Sequence, residues 1–452
     1  MNDLYQQTHD YAAYTPSIQL HSAQRIVKDT VAGRDGSMPA GLTMRDFNYL
    51  DPNNRFWSYS CCLATAAHFK NCDKNAVAYA NPAKNFIIGD SAGFQIGTGA
   101  LEEAKLWRRH AKNPEKVMKL WRESEVKSDI LKWMELSVSF APSLDMPLWV
   151  RNNKTTNKSP FRNCTAEQLI EISVENLRFF NDNRGRHRDL KLMSVLQGNS
   201  IEEEQAWFEA VLPYPLEGWA LADHVGQMGG IYRVLRRLLL LRDQKMLGGT
   251  FELVHILRLS RIRWMPLLTA AQQAVRETTN SPNFRITADS SSPYRIAGVT
   301  TKYVTTAKLG RNLKNWSMPT HKLPASYGVA NWPSPIPLHT ASNILPVPFD
   351  NPIASLLTLQ DLLPNRGAYD IRNIDAFGDE CLVNQNVYAY VNSVIRANQA
   401  VFGPDPVAPQ IIMDAVDVID ELFHAERWET LLEDKRELLA KAAGDKIKTN
   451  AP

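Results

Sequence analysis

Short apolar runs, each closing on a polar residue, recur along the first two thirds of the chain and alternate with helix-like segments. Phe86-Ile87-Ile88 runs into Gly89-Asp90-Ser91-Ala92-Gly93-Phe94-Gln95. It is too short for a helix and is closed by glycine, which predicts a buried strand. Leu136 to Phe140 alternates apolar and polar residues, the period of a half-buried strand, with Pro142 ending it and Asp145 in the loop beyond. Thr165 to Phe180 reads as a helix with Thr165 as its N-cap. Leu190 to Leu196 predicts a strand opening onto Gln197-Gly198-Asn199, and Gly218 to Asp223, Leu253 to Leu257 and Phe284 to Asp289 complete the series. Repeated strand-then-helix units with polar strand ends predict an α/β protein, a (β/α)8 TIM-like barrel with its chemistry at the C-terminal strand ends. The expected division is an N-terminal extension over 1–80, the barrel core over 81–310, and a mostly helical C-terminal region over 311–452 that packs on the barrel. In that last region Met318 to Pro352 is proline-rich and irregular. Asn384 to Phe402 and Ile411 to Ala443 then read as helices, with Ile412, Val416, Ile419, Leu422 and Phe423 as a packing stripe.

Composition narrows the class without naming a function. With 452 residues, 44% hydrophobic and 22% charged, the chain has the make-up of a globular protein with a large core. No apolar stretch approaches bilayer length, Leu238 to Leu241 being flanked by arginines. The start Met1-Asn2-Asp3-Leu4 lacks the order of a signal peptide, so a cytoplasmic location is expected, the host's if the chain is phage-encoded. Five scattered cysteines do not make a disulfide scaffold. A net charge of +3 says little about partners, but cations cluster locally. Arg233, Arg236, Arg237, Arg242 and Lys245 form one group, Arg258, Arg261 and Arg263 beside Trp264 a second, and Lys308, Arg311 and Lys314 beside Trp316 a third. Basic residues interleaved with aromatics suit a phosphate backbone and unstacked bases, and equally describe solvated helix faces.

Asp90, Asp145, Gln197, Asp223 and Asp289 stand at successive predicted strand mouths. Four segments among them carry a resemblance to the tRNA-guanine transglycosylases and their DNA-modifying relatives, over roughly Phe86 to Gly298. Asp90-Ser91-Ala92-Gly93-Phe94-Gln95 is similar to that family's Asp-Ser-Gly-Gly-Phe/Tyr-Gln, and Gln197-Gly198 to its Gln-Gly element. Gly218-Trp219-Ala220-Leu221 stands where the family has Gly-Tyr/Phe-Ala-Ile/Val, and Asp289-Ser290-Ser291-Ser292-Pro293-Tyr294-Arg295 resembles Asp-Cys-Val-x-Pro-Thr-Arg.

The resemblance implies a base exchange at a sugar C1′. The sugar is held meanwhile as a covalent ester on a carboxylate, as in retaining glycosidases. It makes Asp289 the nucleophile and Asp90 the acid and base that serves the departing and arriving bases. It places Asp145, Gln197 and Gly198 on the base edge, with Gln95 beside them. Phe94 and Leu257 take its two faces, and Asp223 lies near its 7-substituent. Arg295 would hold a neighbouring phosphate. Bland readings stand beside these: Asp289 before three serines also suits a turn, Leu257 suits core packing, and Asp223 suits a loop.

Departures from the family pattern narrow the substrate. Ala92 replaces the first family glycine, and Ala222-Asp223 stands where the family has Gly-Gly. The family's structural zinc is expected to be absent, because no cysteine lies between Cys164 and Cys381 and Gln385 takes the place of a histidine ligand. Cys61, Cys62, His68 and Cys72 offer another conceivable metal set, though their irregular spacing suits buried thiols better. Without the zinc region the chain is most similar to the DpdA-type DNA-guanine transglycosylases of phages and bacteria. That likeness implies insertion of a 7-deazaguanine such as preQ0 into DNA, gripped by Arg233, Arg236, Arg237, Arg261 and Arg263. A tRNA substrate and a non-catalytic nucleic-acid-binding subunit are the alternatives, and a homodimer is compatible with either.

Overall fold

A computed structural model describes residues 3–29, 31, 38–69, 84–151, 158–186, 189–222, 230–324, 336–362 and 374–446. Eight parallel strands form one nearly closed ring: β1 (Ala13–Pro16), β2 (Cys61–Thr65), β3 (Phe86–Asp90), β4 (Phe140–Pro142), β5 (Lys191–Leu196), β6 (Gly218–Leu221), β7 (Leu253–Ile256) and β8 (Arg285–Ser290). β1 pairs with β8, and a parallel bridge from Ser17 to Leu63 joins β1 to β2. With helices between the strands this is a (β/α)8 TIM-like fold, as the strand-helix alternation predicts.

Two sequence expectations change. β1 and β2 lie within 1–80, so the segment read as an N-terminal extension supplies a quarter of the ring. Both strands are short and buried at every position, so neither shows the alternation that marks a half-buried strand. Leu136 and Ser137 end the helix Val126–Ser137 instead of starting a strand. The Val138 N–H closes that helix on the Met134 carbonyl, and pairing with β3 begins only where the Ser139 N–H reaches the Ile87 carbonyl, at 2.8 Å. The helix Ala166–Asn183 keeps its predicted cap, Thr165, which forms a reciprocal capping box with Gln168.

Alternate strand residues face into the ring. Leu63, Ile88, Phe140, Met193, Val195, Ala220 and Leu253 pack there as a small core, separate from the large one between strands and helices. The next inward positions toward the C-terminal ends carry Thr65, Asp90, Gln197, Ala222, Leu257 and Asp289. Side-chain period and strand register alone therefore bring the polar strand ends to one mouth.

Beyond the ring, β9 (Lys302–Val304) pairs antiparallel with β10 (Thr320–Lys322). The helices Ala376–Phe402 and Gln410–His424 pack against the helix Trp264–Thr278, and Glu429–Asp434 and Arg436–Ala443 follow. Of the proline-rich stretch, residues 325–335 lie outside the described residues. Among the described residues no helix is long and apolar enough to cross a membrane.

The helix Leu20–Lys28 is tied to Ala376–Phe402 by Arg25 on Asp379 at 2.6 Å and by the Ser22 hydroxyl donating to the buried Glu380. Burial pushes the Glu380 carboxyl from 4.5 up to about 7, against the opposing pull of Ser22 and Arg25. Between those values the folded chain holds a proton that the unfolded chain releases, so stability falls as pH rises through that window. The loss is on the order of 3 kcal/mol. Denaturant unfolding at a series of pH values is expected to show this slope in the wild type and to show it flattened in Glu380→Gln; equal slopes would remove Glu380 as its source.

Candidate active site

The mouth holds a cavity of about 500 Å³ whose walls include Asp90, Asp145, Gln197 and Asp289 with Phe94, Gln95, Leu257, Arg258 and Arg295. Asp90 ends β3, and its Oδ1 accepts the Ala92 N–H at 3.1 Å. That turn puts Ala92 at φ 68°, the left-handed region where glycine fits without strain. Gly93 follows because a Cβ there would stand 3.0 Å from both the carbonyl oxygen and Oδ1 of Asp145. The sequence run Asp90 to Gly93 thus seats one acid and makes room for a second.

Asp289 is the penultimate residue of β8 and is 6% exposed. The turn after β7 wraps around it: the Arg258 N–H donates to its Oδ1 at 2.8 Å, and the Leu259 N–H to its carbonyl oxygen at 2.7 Å. Arg258 makes that contact from a left-handed φ of 64°, strain of the kind that collects at functional sites. Burial pushes the Asp90 carboxyl up, and the charge of Asp289 adds to the rise; Thr65, the Ala92 N–H and His255 pull the other way. The two carboxyls therefore differ in environment while sharing one cavity.

Asp145 and Gln197 form a pair. The Gln197 Nε2 donates to Asp145 Oδ2 at 2.6 Å, and its Oε1 accepts the Leu148 N–H at 3.0 Å. Gln197 is 1% exposed on the cavity wall, and its amide aims Asp145. Gly198 carries a different duty from the expected base contact. A Cβ on it would come within 2.6 Å of the Glu204 backbone nitrogen, so the glycine lets the helix Ile201–Val211 start tight against the strand end. Gly218, matched to the family on sequence, begins β6 because a Cβ would meet the Leu253 carbonyl at 2.4 Å.

Phe94 stands 48% exposed at the rim, with Trp149 5.5 Å away and the Arg258 guanidinium 5.4 Å from its centroid. The Gln95 Oε1 on the cavity wall is buried with no hydrogen bond among the described residues. Leu257 lines the wall and packs against the inner core, and Arg295 is exposed at the rim. Asp223 and Cys72 lie outside the described residues.

Sequence reasoning missed three residues here. His255, 0% exposed on β7, places Nε2 3.4 Å from Asp289 Oδ1; its signal is a lone histidine inside an apolar strand run. In the sequence Arg258 stands only as one member of a basic cluster. Trp149 in the loop after β4 had no local signal at all.

Part of the expected nucleic-acid grip is overturned, since Arg233 and Arg237 are buried, whereas Arg261 is exposed. Arg233, Arg236 and Arg237 all turn onto Glu204, at 2.8, 2.6 and 2.7 Å. Burial pushes the Glu204 carboxyl up, but Arg237 and Arg233 outweigh it and hold the group below its ordinary range. Arg233 also donates to the Gly198 carbonyl and Arg237 to the Ala222 carbonyl, so they brace the strand ends from behind. Arg261 pairs with Asp445, and Arg263 donates to the Leu313 and Trp316 carbonyls. Trp264 and Trp316 are buried and offer no stacking face. Arg258, Arg295, Lys308, Arg311 and Lys314 are exposed.

Among the described residues, neither of the two conceivable ligand sets suits an ion. Cys61 and Cys62 are buried on β2, where neighbouring side chains take opposite faces. Burial pushes the Cys62 thiol up to about 12 and raises the Cys61 thiol well above its ordinary value, away from the thiolate a metal needs. His68 lies apart from them on the cavity wall. At Gln385, Nε2 donates to the Val304 carbonyl at 2.8 Å and to Asp350 at 2.6 Å, and Oε1 accepts the Asp350 and Asn351 N–H groups at 3.1 and 3.2 Å. Asn386 beside it accepts from the Val304 N–H and donates to the Pro293 carbonyl. The two amides knit the long helix to β9 and to the end of the proline-rich stretch with hydrogen bonds, and Gln385 keeps no donor or acceptor for zinc.

No protein-family model and no curated protein matches the chain.

Proposed function

We propose that the chain is a guanine transglycosylase that exchanges guanine in DNA for a 7-deazaguanine of the preQ0 kind through a glycosyl ester on Asp289. The observation that carries this reading is the placement of two carboxyls, Asp90 and Asp289, in one strand-end cavity with a third, Asp145, held by Gln197. In the proposed reaction a lone pair of the Asp289 carboxylate forms a bond to C1′ as the C1′–N9 bond breaks, and its electron pair leaves with the base. Asp90, raised toward the protonated form, supplies the proton that the departing base takes. The arriving base gives a proton back to Asp90 as its nitrogen displaces the ester. Asp145 offers acceptor oxygens to the donor edge of a guanine-like base, and Phe94 with Trp149 gives it an aromatic wall. A guanine in duplex DNA must be turned out of the stack to reach this cavity, and Arg258 and Arg295 at the rim suit the flanking phosphates.

The test is incubation of the protein with labelled guanine and either duplex DNA or tRNA. Label in DNA alone is expected; label in tRNA alone assigns the other polymer, and label in neither overturns the reaction class.

The turn under Asp90 gives a finer test. Gly93→Ala drives a Cβ against Asp145 and is expected to raise the KM for the free base roughly tenfold, since a displaced contact of this kind costs about 1.4 kcal/mol. Ala92→Gly, which relieves a left-handed alanine, should leave exchange unchanged and stability within about 1 kcal/mol. Base titrations of the two variants read the difference, and equal KM values would remove Asp145 from base binding.

A further inference from the structure

We infer that His255 is the positioning residue of the nucleophile: it holds Asp289 Oδ1 from below and so leaves Oδ2 as the oxygen that attacks. This rests on the base-exchange reading of the same cavity.

His255 sits one inward layer beneath Asp289, two residues along the same face from Leu257. On most of the ring this layer is apolar, filled by Leu63, Ile88, Phe140, Val195 and Ala220. At β7 and β8 it is polar, with His255 in register with Thr287 and their side chains 2.8 Å apart from Nδ1 to Oγ1. On the other flank its register partner is Ala220, which offers no side-chain donor or acceptor. The Nε2 is buried and makes no hydrogen bond among the described residues; it faces Asp289 Oδ1 at 3.4 Å. That distance is longer than a well-formed hydrogen bond, as is common before substrate arrives.

The protons follow from the partners. A carboxylate only accepts, so the ring nitrogen facing it carries the hydrogen. In the tautomer with its hydrogen on Nε2, Nδ1 is an acceptor and the Thr287 hydroxyl donates to it. Oδ1 accepts the Arg258 N–H and faces the His255 Nε2 at 3.4 Å, whereas Oδ2 receives no hydrogen bond among the described residues. The torsion of the carboxylate is thereby fixed. Oδ2 uses its lone pair to form the bond to C1′, the C1′–N9 pair leaves with the base, and Oδ1 becomes the carbonyl oxygen of the ester still facing both donors. When the new base displaces the ester, the same donors receive the negative charge that returns to the carboxylate.

The experiment compares wild type, His255→Gln and His255→Phe in single-turnover formation of the glycosyl ester on the polymer that accepts label. His255→Phe keeps the ring shape without a donor and is expected to lower the rate about 10- to 100-fold with KM for the base within about twofold. His255→Gln, whose amide N–H can point the same way, should recover most of that loss. A wild-type rate in His255→Phe, or equal losses in both variants, overturns the assignment. Long-range ¹⁵N correlation spectra of histidine-labelled protein give a readout that needs no activity. They should show His255 as the Nε2–H tautomer, shifting on Asp289→Asn and losing its single tautomer on Thr287→Val. The Nδ1–H tautomer, or no response to Asp289→Asn, overturns it equally. Absence of exchange in the wild type with an Nε2–H signal that responds to Asp289 would instead sink the reaction class and leave the His255–Asp289 contact standing.

Discussion

Asp289→Ala is expected to lower guanine exchange by at least about 10,000-fold, the scale seen when a covalent nucleophile is removed. The side chain has no understudy. Asp90 is held by its own turn through the Ala92 N–H, and Asp145 is engaged with Gln197, so neither is placed to take over the ester. The fold should survive, because the substitution takes one of two neighbouring acids out of a largely buried setting. Without the Asp289 charge the Asp90 carboxyl should titrate lower than in the wild type, though burial still pushes it up. Nucleic-acid binding should change little, because the substitution leaves Arg258 and Arg295 at the rim. Labelled-guanine incorporation and denaturant-resistant adduct formation read the first effect, and carboxyl-carbon NMR reads the second. Exchange at the wild-type rate would remove Asp289 as nucleophile. Binding without exchange in the wild type would favour the non-catalytic subunit.

The second large effect concerns the wall behind the site. Glu204→Gln is expected to cost about 3–5 kcal/mol of folding stability, the range for breaking a buried ion pair by removing one partner. Glu204 is buried and faces three guanidiniums, of which Arg233 and Arg237 are buried with it. A neutral amide removes the carboxylate charge that three guanidiniums share in a region that water does not reach. Arg236 is partly exposed, so Arg236→Ala should cost only about 1 kcal/mol. Because Arg233 and Arg237 also hold the Gly198 and Ala222 carbonyls, Glu204→Gln should loosen the ends of β5 and β6 and weaken base binding together with the fold. Urea unfolding of the two variants measures the contrast; equal costs would mean that the cluster works as a surface network.

The core strands β3, β5, β6, β7 and β8 were legible because apolar runs that close on glycine or a polar residue have few alternatives in an α/β chain. Asp90, Asp145, Gln197 and Asp289 were legible as strand-end polar residues, and the ring gathers them at one cavity because alternate residues share a face. β1 and β2 were not, since strands of four or five residues buried throughout carry no period to read. The tie from Gln197 to Asp145 was hidden for a similar reason: the type and position of Gln197 were visible, but the carboxyl it holds is 52 residues away.

The arginines mark the boundary most clearly. Their clustering over 233–237 is a property of the sequence, and a chain of basic residues at helical spacing reads as a face for an anionic partner. Which anion takes them depended on a helix packing that puts one buried glutamate among all three, a long-range match no local pattern encodes. His255 is the converse, a polar residue inside an apolar strand run that the register sets under Asp289. By itself the sequence determined the strand-helix alternation and the carboxyls at the strand ends, because backbone period and turn chemistry act over a few residues. The tertiary structure alone decided which charges are spent inside the protein, because burial and ion pairing depend on neighbours brought from far along the chain.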